Sequence, residues 1–63
     1  MCLSTVYKNQ QEPGDVLMRN VMRIECKGDT VVLTDLMERQ LVIKGTLEQA
    51  NLVDAFAIVR EEA

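Results

Sequence analysis

Residues 21–36, VMRIECKGDTVVLTDL, contain the pattern that decides the fold. Apolar and polar residues alternate on both sides of the KGD triplet at 27–29, with the two-residue period of a β-strand. A Gly-Asp pair between two such segments predicts a tight hairpin. In the first segment Met22, Ile24 and Cys26 share one face, and we expect Cys26 to be a core residue on that face.

The same period recurs along the rest of the chain. The segment 9–15 is polar, and its Pro-Gly pair predicts a turn. Thr46 followed by Gln49 matches a capping box, which predicts a short helical turn over 47–50 after a strand that ends at Gly45. Five short strands and at most one short helical turn predict an all-β fold, a small, partly open barrel. The predicted strands are 3–8, 16–26, 30–36, 41–45 and 55–61.

The size and charge of the chain disfavour several classes of protein. Its 63 residues are enough for a single domain, 1–63, and 48% of them are hydrophobic. A small aliphatic core gains from extra burial, so we expect a homodimer. The net charge is −3 and the seven basic residues are scattered, whereas nucleic-acid binders carry a clustered basic excess. No apolar run reaches the roughly 18 residues of a membrane span, no signal peptide is visible, and we expect a cytoplasmic protein.

Cys2 is the candidate for the chemistry of this protein because it stands one residue from a free amine. The Met1 amine, the Cys2 amide nitrogen and the Cys2 sulfur can occupy three neighbouring positions around one metal ion. Nitrogen and thiolate donors in a flat arrangement favour Ni(II) or Cu(II) over tetrahedral Zn(II). A second chain would supply the missing donor at a dimer axis. The pattern alone leaves open the alternative that Cys2 is an inert residue at a frayed terminus.

Catalysis is not predicted. The chain contains no His, which excludes a Cys-His nucleophile pair. Removal of Met1 would make Cys2 an N-terminal nucleophile, but enzymes of that kind need a larger layered domain for their substrate pocket. The carboxylates, including those of Asp35 and Asp54, fall mostly at predicted turns, where we expect them to be solvated. We therefore assign no catalytic residue and predict that the protein is not an enzyme.

Three stretches of the chain resemble a known family. MCLSTVY at 1–7, GDV at 14–16 and LTDLMERQLVIKGTLEQANLVDAFAIV at 33–59 are similar to the CooT family of small nickel-binding proteins, which accompany maturation of the nickel-containing carbon monoxide dehydrogenase. The resemblance implies an SH3-like barrel, a homodimer, and Ni(II) held by Cys2 of each subunit, with the Met1 amine as a further donor. It also implies a nickel enzyme or its maturation machinery as a partner.

Two functions follow from the sequence. The first is a nickel-binding accessory protein that holds Ni(II) at a homodimer interface through Cys2, with Cu(II) as an alternative ion in vitro. The second is a small nucleic-acid-binding or protein-interaction barrel in which Cys2 is incidental. The charge of −3 and the presence of only one Tyr and one Phe disfavour nucleic acid as the partner.

Overall fold

The computed structural model describes residues 3–62, and these form a ring of five strands. A single turn of 3-10 helix, Pro13–Asp15, precedes the second strand. The strands are β1 (Ser4–Lys8), β2 (Val16–Lys27), β3 (Thr30–Asp35), β4 (Gln40–Asn51) and β5 (Phe56–Glu61). The prediction of an all-β, SH3-like small barrel with five strands is confirmed.

The ring closes through its first and last strands. Consecutive strands pair antiparallel, and β1 then pairs parallel with β5, from Thr5 opposite Phe56 to Lys8 opposite Val59. Asn9 extends this junction, because its side-chain oxygen accepts a hydrogen bond of 3.0 Å from the amide of Glu61. The barrel is therefore closed, whereas the sequence predicted a partly open one.

The core lies inside this ring and is aliphatic. Every strand contributes to it, with one or two buried side chains from each. Complete burial of each Val, Leu or Ile stabilises the fold by about 1.5–3 kcal/mol. The buried cluster consists of Val6, Val21, Val31, Leu33, Ile43, Ala57 and Val59.

A bulge divides β2 into two segments, or arms, that pair with different neighbouring strands. The first arm pairs with β1 and the second with β3, and the register shifts between Val21 and Arg23. The extra residue, Met22, changes which positions face inward, so the core residues are Val21 before the bulge and half-buried Ile24 after it. We call this bend the β2 corner.

The prediction that Cys26 is a core residue is wrong, because its side chain is exposed. Cys26 lies one residue from the end of β2, directly before the hairpin turn at Gly28, where the strand reaches the end of the barrel. Period-two alternation identifies a face of a strand, but it does not show where along the strand the core ends.

The prediction of a helical turn over 47–50 is also wrong, because β4 continues through these residues to Asn51. Leu47 pairs with Val59 and Gln49 with Ile58, so pairing with β5 overrides the local capping-box signal. At Gly45, the pairing partner of β4 changes from β3 to β5. The strand continues beyond Gly45 and does not end there as predicted.

Candidate functional site

The two predicted ligands, Met1 and Cys2, lie outside the described residues, which begin at Leu3 directly before β1. Two contacts fix the position of this start. Ser4 pairs with Val21 at the β2 corner, and the amide of Thr5 donates a 3.0 Å hydrogen bond to the carbonyl of Ala55 in the β4–β5 turn. The described chain thus begins between the β2 corner and the β4–β5 turn.

A cleft of about 400 Å³ adjoins this start. Most of the residues that line it are apolar, and Ser4 and Arg23 are the polar ones. Such a mixture of apolar walls and a few polar groups is typical of binding surfaces. The lining residues are Ser4, Val21, Met22, Arg23, Ile24 and Leu52.

The β4–β5 turn holds two large apolar side chains in solvent beside the cleft. Leu52 is 82% exposed and Val53 is 94% exposed. The turn is ordered by Asn51, whose side-chain oxygen accepts hydrogen bonds from the amides of Val53 at 3.1 Å and Asp54 at 2.8 Å. An Asx turn of this kind fixes the backbone locally. With Met22, which is 42% exposed, these residues form what we call the apolar rim: Met22, Leu52 and Val53.

The β3–β4 turn lies across the β2 corner from the start of the chain, where the amide of Leu36 bonds the carbonyl of Asn20. It is organised by Asp35, whose carboxylate accepts hydrogen bonds from the amides of Met37 and Arg39 at 2.9 Å and from Arg39 Nε at 2.8 Å. Burial raises the pKa of this carboxyl, but the hydrogen bonds and the charge of Arg39 outweigh that effect and hold the pKa below its ordinary value of 3.8.

The expectation that the carboxylates are solvated is therefore wrong for Asp35, which is 3% exposed. Its role is structural, since the hydrogen bonds of its carboxylate close the turn that follows β3. The signal that could have revealed it is an Asp at the end of an apolar strand, followed by a segment that returns into another strand. Leu36 and Met37, on the same turn, are 47% and 73% exposed.

Residues 3–62 contain no cluster of side chains suited to a metal ion, that is, no group of three or more Cys, Asp or Glu side chains placed to hold one. Cys26 stands alone and exposed at the β2–β3 hairpin. Among the helices of the described chain, none has the length and hydropathy needed to cross a membrane.

Comparison with known families gives a match over nearly the whole chain. The family described as CO dehydrogenase accessory protein CooT matches residues 1–60. The chain belongs to the CooT family. The resemblance predicted from the sequence is confirmed, and the family's accessory role agrees with the expectation that the protein is not an enzyme. The matched range includes Met1 and Cys2.

A solved structure shares the fold. It is a crystal structure assigned to CooT from Carboxydothermus hydrogenoformans, with a TM-score of 0.82 and 16% sequence identity over 98% of this chain and 100% of the other. At that identity the likeness establishes the barrel and not the details of a site. A search of curated proteins finds no match.

Proposed function

We propose that this protein is a cytoplasmic metallochaperone that binds Ni(II) for the maturation of CO dehydrogenase. In the proposed site, the Cys2 thiolates of two copies hold one metal ion and the Met1 amine is a further donor. The observation that carries the proposal is the match to the CO dehydrogenase accessory protein CooT, which begins at residue 1 and so includes both proposed ligands.

The chemistry of the N-terminus supports nickel as the ion. An amine and a thiolate on adjacent residues form a chelate with the soft and borderline donors that late divalent metals prefer. Both groups must lose a proton to bind, so nickel affinity rises with pH.

A metal titration compares the two cysteines of the chain directly. Ni(II) added to the wild type should produce a thiolate-to-metal charge-transfer band that saturates at about one ion per dimer. Cys2→Ala should abolish the band. Cys26→Ala is a matched control, because Cys26 is an exposed thiol on the same protein and its removal should leave the band unchanged. A full band in Cys2→Ala would refute the proposed site.

The contribution of the Met1 amine is tested separately. A short peptide added before Met1 converts the amine into an amide, which is a much weaker ligand at neutral pH. We expect weaker nickel binding and a shifted absorption band, while the same peptide added after Ala63 should change neither. Equal affinity of both tagged proteins would remove the amine from the site and leave Cys2 as the ligand.

The alternative function is a protein-interaction barrel in which Cys2 is incidental, and the exposed apolar rim is the observation that favours it. It predicts no selective uptake of Ni(II) by the wild type. The cysteine titration therefore also separates the two functions.

A further inference from the structure

We propose that the first two residues of the chain continue β1 into the cleft at the β2 corner, and that the Cys2 side chain occupies this cleft between Ile24 and Leu52. The occupant is thus a segment of the same chain, residues 1–2, which lies outside the described residues. The proposal goes beyond the proposed function, because it places the thiol in the metal-free protein and names the residues that surround it.

The first argument is the pairing of β1 with β2. The two strands are antiparallel, and the pair nearest to the start of the described chain is Ser4 with Val21. Among residues 3–62, strand pairing on this edge of β2 stops at Val21, although β2 itself continues to Lys27 and pairs with β3 on its other edge. An open strand edge is a template for further backbone pairing. A chain that continues β1 beyond Ser4 therefore runs along this edge.

The second argument is the position of the cleft on that path. The cleft is lined by Ser4 and by the next part of β2, from Val21 to Ile24. Leu52, from the β4–β5 turn, lines it as well, and the same turn bonds the amide of Thr5. Two extended residues span about 7 Å, so residues 1–2 are long enough to run beside the second arm of β2. The cleft therefore lies where the first two residues of the chain are expected.

The third argument is the alternation of side chains along β1. Val6 is fully buried in the core, and Ser4, two residues before it, lines the cleft. Every second side chain of a strand lies on the same face, so a continued β1 puts Cys2 on the face of Ser4 and Val6. In β2 the extra residue Met22 shifts the core face to Ile24, which packs against the buried cluster. Cys2 and Ile24 then share the core-facing side of the two strands.

The lining of the cleft is chemically suited to a thiol. Four of the six lining residues are apolar: Val21, Met22, Ile24 and Leu52. A cysteine side chain is small and packs as a hydrophobic one, so it gains from burial among them. A side chain that is already held in one place also loses less conformational entropy when it binds a ligand. The cleft thus prearranges the thiol.

Intrachain disulfide formation tests where Cys2 lies. Cys26→Ser removes the other thiol, and a second cysteine is introduced by Leu52→Cys or, as the matched control, by Val53→Cys. The two positions are adjacent and are 82% and 94% exposed, so neither change should disturb the fold, but Leu52 lines the cleft and Val53 does not. In metal-free protein in a glutathione redox buffer, the equilibrium constant for the intrachain disulfide should be at least about 10-fold larger for Leu52→Cys, because a disulfide requires close Cβ atoms.

A second pair of variants tests the wall formed by β2. In the same Cys26→Ser background, Ile24→Cys should form the intrachain disulfide with Cys2 at least about 10-fold more favourably than Glu25→Cys. Glu25 is the next residue of β2, lies on the opposite face of the strand and does not line the cleft. Circular dichroism checks the fold of each variant, and mass spectrometry of proteolytic peptides identifies the bonded cysteines.

Selective disulfides at both pairs support the proposal. Equal equilibrium constants within either pair of folded variants would overturn it. Disulfides between two chains as the main product of Leu52→Cys, seen by non-reducing electrophoresis, would also overturn it, because the cleft would then receive the N-terminus of a second copy.

These outcomes are separable from the proposed function, since no Ni(II) is present in the experiment. Selective disulfides together with a wild type that binds no Ni(II) would leave the cleft assignment standing and refute the metallochaperone. Unselective disulfides together with nickel binding that depends on Cys2 would refute the cleft assignment and leave the metal site standing.

Discussion

Gly45 allows β4 and β5 to approach each other closely, and its replacement by alanine tests how the barrel is built. A Cβ at this position would overlap the carbonyl oxygen of Arg60 and lie 3.0 Å from the carbonyl carbon of Arg60 and from Cα of Glu61. All three atoms belong to backbone, so no side chain can rotate to make room. The two strands would have to separate where β4 passes from one half of the barrel to the other.

The expected cost follows from that separation. Overpacking a close contact costs about 1–3 kcal/mol, and each ladder hydrogen bond that is stretched loses about 1 kcal/mol. We expect Gly45→Ala to lower the free energy of unfolding by about 2–4 kcal/mol. Since stability is about 0.05–0.15 kcal/mol per residue, a chain of 63 residues would lose a large part of its total. Its Tm should fall by at least about 8 °C.

Urea unfolding followed by far-ultraviolet circular dichroism measures this change. Gly14→Ala is the matched control, because a Cβ at Gly14 meets no atom within 4 Å, and its effect should stay within about 0.5 kcal/mol. All proteins are compared metal-free and at one concentration, since ligand binding and dimerisation add stability by mass action. A Gly45→Ala protein as stable as the Gly14→Ala control would refute the account of this strand contact.

Three further predictions concern the turns. Asp35→Asn should destabilise the protein near neutral pH. Because folding lowers the pKa of the Asp35 carboxyl, the ionised carboxylate stabilises the folded protein fully above pH 3.8, and this stabilisation is lost as the pH falls through the pKa of the folded state. Chemical unfolding at a series of pH values should therefore show the wild type and Asp35→Asn converging in acid, and a constant difference would contradict this. Cys26 is exposed, so it should react with a thiol reagent in the folded protein. Cys26→Ser should change the free energy of unfolding by less than about 0.5 kcal/mol. Slow labelling of Cys26, at a rate limited by unfolding, would contradict its exposed position. Gly28→Ala should cost about 1–2 kcal/mol in urea unfolding, because Gly28 has a φ of 62° and alanine is strained there; an unchanged midpoint would contradict the left-handed turn.

Much of the barrel could be predicted from local patterns. The five strands follow from two-residue alternation, and the hairpin at Gly28 follows from the Gly-Asp pair that the tight turn requires. The helical turn over 47–50 was predicted wrongly because a capping box is a local preference, and pairing with β5 is a tertiary one that prevails.

Other features depended on contacts that no local pattern contains. The bulge at Met22 changes which face of β2 is inward, and the burial of Asp35 depends on the turn that closes around its carboxylate. Of the candidate site, Cys2 and Met1 were predicted from chemistry and stay predictions. The apolar rim could not be predicted, because Met22 and Leu52 are 30 positions apart in the sequence and become neighbours only in the folded barrel.

The parallel pairing of β1 with β5 has a consequence for synthesis of the protein. Thr5 and Phe56 are neighbours in space but stand at opposite ends of the sequence, so the ring is completed only when the last strand is available. Folds built on such distant contacts form late and slowly. A nascent chain that has reached only β4 lacks the partner with which both β1 and β4 pair, so its core is unfinished. The end of the barrel at which β1 begins is therefore assembled only after β5 has been made.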